Sequence, residues 1–263
     1  MKDFIKKYEI WIFLILAPIS SAVIVLASIK GLIPGPLYTH GRFYALLLLL
    51  VLIVKFTKGN AGLKTIFKPM LKWKVHPKWY LFSLSFAVLV GLLTLFLKSI
   101  YNSTEFSLFD IDFHFQSLRV SIVILMWAFV GEVVWVSYSV RELSKKMTPF
   151  FASQVVGLFW TLWWAPLVIL NVSVINDLPI WALLINMLGA AGMCAVVYGK
   201  TKSGICVWIL QYMLNMSLLT IPVSPKLGGI PTYIGFSVLY FVIMLIFMYF
   251  MNPAKAFTTP EEA

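Results

Sequence analysis

The chain has 263 residues, of which 61% are hydrophobic and 12% charged, and its formal net charge is +11. Soluble globular domains carry roughly 25% charged residues, so this composition excludes a soluble fold and reads as one polytopic membrane domain over residues 1–263. Cys194 and Cys206 both lie in apolar runs as small buried hydrophobes, too few and too poorly spaced for a thiolate metal site.

The N-terminus places basic Lys2, Lys6 and Lys7 before the apolar run Ile10–Ile29. That run is longer than a signal-peptide core and lacks a small-residue cleavage site, so it reads as a retained first helix. A span needs about 20 apolar residues. Seven further candidates follow: Phe43–Phe56, Trp79–Leu97, Val120–Val140, Phe150–Leu170, Ile180–Tyr198, Gly204–Ile221 and Thr232–Met251. The second is short and carries Lys55, and its start is open as far back as Tyr38. With the N-terminus inside, 16 of the 21 basic residues fall on cytoplasmic segments, and five fall outside (Lys30, Arg42, Lys98, Arg119 and Lys226). The positive-inside rule then expects both termini in the cytoplasm. The net charge is thus a topology signal, and nucleic acid is not an expected partner.

Between the second and third spans lies the densest basic stretch, Thr57–Lys78. Leu63, Ile66, Phe67, Met70 and Leu71 recur there at helical spacing with Lys64, Lys68 and Lys72 between them. This predicts a helix on the cytoplasmic membrane face, shortened by Pro69. It serves either as a connector held down by anionic lipid or as a docking surface. The outer loop Lys98–Arg119 carries Glu105, Asp110, Asp112 and His114, spaced too loosely to predict a metal site. Asn102-Ser103-Thr104 and Asn171-Val172-Ser173 match the glycosylation acceptor pattern, which has meaning only for lumenal loops of a eukaryotic protein.

The fourth span holds Glu132, and an ionisable group at membrane depth is a functional-site hypothesis by default. No other acid lies inside an apolar run, and His40, His76 and His114 all read as loop residues. Three spans carry polar or aromatic groups at i, i+4 spacing, which sets each pair on one α-helical face. They are Gly131-Glu132 through Trp135-Val136-Ser137-Tyr138 in the fourth span, Trp160 through Trp163-Trp164 and Pro166 in the fifth, and Gln211 with Asn215 in the seventh.

In their order, spacing and framing residues these stretches resemble the CPBP family of intramembrane metalloproteases. That family also goes by CAAX prenyl protease 2, Abi or bacteriocin-processing proteins, and its core helices carry EExxxR, FxxxH and HxxxN. The resemblance covers about residues 64–215. It includes the basic, Trp-containing lead-in from Leu71-Lys72-Trp73-Lys74 to Trp79-Tyr80. It implies an all-α bundle of about eight transmembrane helices with a CAAX-protease-2-like core.

Position by position, Glu132 falls on the second Glu of EExxxR, the first Glu becomes Gly131 and the Arg becomes Val136. Trp160 takes the aromatic of FxxxH and Trp164 the His. Gln211 takes the His of HxxxN, and Asn215 matches its Asn. Shifting the fourth span by one residue makes Glu132 the first Glu and puts Ser137 at the Arg. Zinc takes imidazole, thiolate or carboxylate ligands; an indole only donates and a carboxamide is a weak neutral ligand. No metal and no cofactor are therefore expected, zinc entering only if a protease activity holds.

An aspartyl mechanism needs two carboxylates, and Ser137 or Ser139 would need a base. Two readings of Glu132 stay open: a polar lock to Gln211 and Asn215, or the wall of a residual cavity. Trp160, Trp163 and Trp164 read as packing, with Trp164 expected to fill the space opposite Glu132. Asn186 is expected to add an interhelical hydrogen bond, and Met213 and Met216 to fill the core.

The first expectation is a non-catalytic CPBP-type protein in a bacterial cytoplasmic membrane, binding another membrane protein or a hydrophobic peptide through Glu132, Trp160, Trp164, Gln211 and Asn215. The alternatives are an intramembrane zinc endopeptidase acting in peptide processing or self-immunity and, with less support, a small-molecule or lipid transporter, for which no inverted repeat is visible.

Overall fold

The computed structural model describes residues 2–172 and 178–253. Lys255 of the charge count and Ser173 of the second acceptor pattern lie outside them. The described residues form helices and no strand. Among the described residues eight spans are long and apolar enough to cross a bilayer, and the chain is an all-α integral membrane protein. In chain order they are α1 (Lys2–Ile29), α2 (Gly35–Phe67), α3 (Pro77–Tyr101), α4 (Leu118–Gly131, continued by Glu132–Val140 and Arg141–Ser144), α5 (Pro149–Ile169), α6 (Ile180–Thr201), α7 (Gly204–Thr220) and α8 (Ile230–Met251).

Local chemistry sets several of these ends. Ser117, Thr148 and Ser203 cap α4, α5 and α7 by accepting from backbone N–H groups in the first turn. Proline opens α3 and α5, where its missing N–H costs nothing. α6 stops at Lys202, which turns left-handed with φ 55°.

Neighbouring helices close into a ring in the order α1, α5, α6, α8, α3, α7, α4, α2. The second half of α4 turns into this ring and touches α2, α5, α6 and α7. α6 is the most enclosed span, and α1, α2 and α8 are the most open to lipid. Opposite the lysine-rich end, Gln116 Nε2 donates to the Leu219 carbonyl at 2.8 Å and Lys98 Nζ to Thr232 Oγ1 at 2.9 Å, tying loop to helix and helix to helix.

The structure corrects the sequence reading in four places. α2 starts at Gly35, so His40 and Arg42 are helical, and Arg42 is fully buried within a span rather than lying on an outer segment. Thr57 still belongs to α2, and the interfacial stretch is set off by a kink at Gly59, whose φ of +64° only glycine adopts without strain. It ends in the 3-10 turn Lys68–Leu71, where Pro69 is buried. Glu9, one residue ahead of the first apolar run, is a second buried carboxylate.

The fourth correction concerns α4. From Glu132 to Val140 the helix is wound as a π-helix, with i→i+5 bonds instead of i→i+4. The side chains follow that pitch: Ser137 Oγ donates to Glu132 Oε1 at 2.6 Å, and Ser139 Oγ to the Val134 carbonyl at 2.8 Å. The i, i+4 expectation that Glu132 and Val136 share a face therefore fails, because the wider turn sets Glu132 over Ser137. All nine residues of the segment are buried, so it has no lipid-facing side.

At the lysine-rich end Glu9 accepts from Thr57 Oγ1 and, at 2.8 Å, from Tyr138 Oη. Lys58 Nζ lies 2.9 Å from Glu9 and 3.2 Å from Glu142, and Lys145 also reaches Glu142 at 2.9 Å. This network joins α1, α2 and α4. Lys58→Met is expected to leave Glu9 and Glu142 under-paired and to cost about 1–2 kcal/mol. That lies between an exposed pair at about 0.2–1 kcal/mol and a broken buried pair at about 3–5 kcal/mol, because the Lys58 side chain is 41% exposed. Thermal unfolding in mild detergent checks this; an unchanged midpoint would show that the network does not hold these helices together.

Candidate intramembrane polar site

Glu132 opens the π segment and is completely buried. Its Oε1 takes the short bond from Ser137, and its Oε2 is buried with no hydrogen-bond partner among the described residues. The carboxyl lies against Gly204, the first residue of α7. A β-carbon built there would sit 3.0 Å from Glu132 Oε1 and 2.5 Å from Met70 Sδ, so glycine is what lets the two side chains approach. The acid thus lies beside the N-terminus of α7, at the positive end of its helix dipole.

The interfacial stretch closes the site from the lysine-rich end. Met70 belongs to the 3-10 turn Lys68–Leu71, and its sulfur lies over Gly204. Next to it, Ser203 Oγ donates to the Lys72 carbonyl at 2.5 Å and accepts from the Cys206 N–H. One side chain therefore caps α7 and ties down the connector from α2.

On the same face of α7, two turns on, Gln211 is 2% exposed. A β-carbon on Gly131 would come 2.5 Å from Gln211 Oε1, so the carboxamide occupies the space that a side chain at 131 would need. Gln211 Nε2 is buried without a partner. Cys194 of α6 completes the group: its thiol is buried and hydrogen-bonded to the Gln211 side chain.

The structure thus brings together Gly131, Glu132, Ser137, Cys194, Gly204 and Gln211. It leaves other expected residues elsewhere. Asn215 Nδ2 donates to the Gln211 carbonyl of its own helix at 2.8 Å. Val136 is buried in the π segment. Trp160 lies nearly flat on Trp135 at 5.9 Å. Trp164 does not fill the space opposite Glu132; it packs on Arg42, Phe43 and Trp163, and Gln211 takes the filling role instead. Asn186 is completely buried, and neither its Oδ1 nor its Nδ2 has a partner. Hollows of about 450 and 600 Å3 lie at Thr148–Phe150 with Leu245–Pro253 and along Leu63–Leu71, and Glu132 lines neither.

The sequence reading missed one contributor and the pairing of another. Cys194 looks like packing in an apolar run, and no local signal marks it. Ser137 stood in the fourth-span stretch, but its pairing with Glu132 shows only at i, i+5 spacing.

A carboxyl, a thiol, a hydroxyl and a carboxamide do not make a zinc site. Among the described residues no three His, Cys, Asp or Glu side chains gather to hold a metal ion, and structural or catalytic zinc takes at least three such ligands. In the outer loop, Asp112 and His114 approach to 3.6 Å on their own. The polar site can exchange hydrogen bonds between α4, α6 and α7, and its unpaired Glu132 Oε2 and Gln211 Nε2 offer one acceptor and one donor.

Glu132→Gln is expected to keep the Ser137 bond and to change stability by less than about 1 kcal/mol. Glu132→Ala leaves the Ser137 hydroxyl unpaired beside a void and is expected to cost about 2–3 kcal/mol. Unfolding in detergent compares the two; equal losses would mean that the carboxylate charge matters and the hydrogen bond does not.

No protein-family model matches the chain, and no curated protein matches it.

Proposed function

We propose that the chain is a non-catalytic relative of the CPBP intramembrane proteases, which it resembles in three motif-bearing spans. It would act as a scaffold or regulator that binds another membrane protein or a hydrophobic peptide. Its setting would be a bacterial cytoplasmic membrane, with both termini on the basic, cytoplasmic side.

One observation carries the reading. The Gln211 carboxamide fills the space beside Gly131, where the resemblance would put the general-base carboxylate. Glu132 is left as a single acid held by Ser137. Loss of a general base alone typically costs 10²–10⁴-fold in rate. The buried donor and acceptor left over at Gln211 and Glu132 suit a role in holding helices or a bound peptide amide.

The test is affinity purification from the native host in mild detergent, with mass spectrometry of what co-purifies. One membrane protein recovered near equal stoichiometry, and retained with Glu132→Gln, supports the proposal. Stoichiometric bound zinc together with peptide cleavage lost in Glu132→Gln overturns it in favour of an intramembrane endopeptidase.

A further inference from the structure

Arg42 is completely buried in α2, four residues into the span that begins at Tyr38. At 1.5 Å per residue it lies about 6 Å inside that end. No carboxylate among the described residues pairs with it. Its Nε donates to Ser21 Oγ and its Nη2 to the Trp163 carbonyl, both at 2.9 Å. The guanidinium lies 4.1 Å from the ring of Trp163 and 5.1 Å from that of Trp164. Its Nη1 is buried with no partner among the described residues.

The surroundings repeat the same imbalance. Phe43 stacks on Trp127 at 4.9 Å and meets Trp163 edge-on at 4.9 Å, and the indole N–H groups of Trp127 and Trp163 are both buried with no partner among the described residues. His40 lies 5.4 Å from the Trp127 ring. The unused polar groups on Arg42, Trp127 and Trp163 are all donors, and none is an acceptor. A fixed positive charge inside a membrane is costly and is normally paired or faces a functional path. Tyr38, Thr39, His40 and Gly41 beside it are only half-buried, and a β-carbon on Gly41 would meet nothing within 4 Å.

We propose that Arg42, with the indole N–H groups of Trp127 and Trp163, binds an oxyanion. The ligand is the carboxylate or phosphate of an amphiphile entering past Tyr38 and His40, from the end of the bundle opposite the lysine-rich one. Oxyanions accept several donors at once, and a guanidinium offers them in a fixed fork. The apolar tail would lie along the lipid-facing sides of α1 and α2.

The experiment measures thermal midpoints of the purified full chain in neutral detergent against increasing dodecanoate, phosphatidylglycerol or phosphatidylcholine. A saturable upward shift with dodecanoate alone identifies a carboxylate source; one with phosphatidylglycerol but not phosphatidylcholine identifies the phosphate of an anionic lipid. In either case Arg42→Gln is expected to weaken half-saturation at least tenfold, with Arg42→Lys intermediate. Trp127→Phe, which keeps the ring and removes one donor, is expected to weaken it several-fold and serves if Arg42→Gln does not fold. Absence of a saturable shift in the wild type with either anion overturns the proposal and leaves Arg42 a structural pin between α1, α2 and α5. A shift undiminished in both Arg42→Gln and Trp127→Phe overturns it equally.

Discussion

Gly131→Glu is expected to disrupt the helix packing and not to supply a second acid. The first side-chain carbon at 131 would already stand 2.5 Å from Gln211 Oε1. Forcing extra atoms into a packed core costs about 1–3 kcal/mol. A second carboxylate buried beside Glu132 adds a desolvation penalty of several kcal/mol. The expected result is loss of monodisperse protein or a thermal midpoint lowered by well over ten degrees. Combining it with Gln211→Ala vacates the contested space and is expected to recover part of the loss, so the pair should be non-additive. Wild-type stability for the single variant would mean that Gln211 yields readily and that the site can hold two carboxylates, which would reopen hydrolysis.

Trp135→Ala is expected to cost about 3–5 kcal/mol, the usual range for deleting a buried aromatic. Trp135 is completely buried, stacked on Trp160, edge-on to Trp163 at 6.4 Å and close to Phe13 at 6.4 Å. In a bilayer the loss is mainly one of packing, because lipid is as apolar as the neighbours removed. The indole N–H has no partner, so no hydrogen bond is lost. Trp135→Phe should accordingly cost much less than Trp135→Ala. Chemical unfolding in detergent gives both numbers; equal costs would point to strain released in the π segment and away from packing.

The spans were legible because long apolar runs leave little choice: six of the eight have both ends within four residues of their sequence-derived limits. α2 was not, because Arg42 reads as a loop residue until Trp163 and Trp164 are known to cover it. Glu9 was hidden for a related reason, since only tertiary contact with Thr57, Lys58 and Tyr138 reveals that it is buried. At the polar site Glu132 stood out as a charge among aliphatic neighbours, and Gln211 followed from the motif spacing. Cys194 could not follow, because a thiol in an apolar helix gives the same pattern whether it faces lipid or an acid. The role expected of Trp164 failed because an aromatic side chain can turn toward either neighbouring helix, and a buried guanidinium held it on the far side.

The winding of α4 also bears on how this chain can be compared with others. In an α-helix each residue turns the chain by about 100°, so a helix wound with i→i+5 bonds between Gly131 and Arg141 has more residues per turn and carries surplus chain that an α-helical ruler does not count. Any alignment that keeps strict α phase through this span goes out of register after Glu132: it matches side chains pointing in different directions and scores the second half of the helix as unrelated. Sequence distance here can therefore overstate structural distance. A single-residue gap placed between Val133 and Val136 is the adjustment that a search for relatives of this chain should permit.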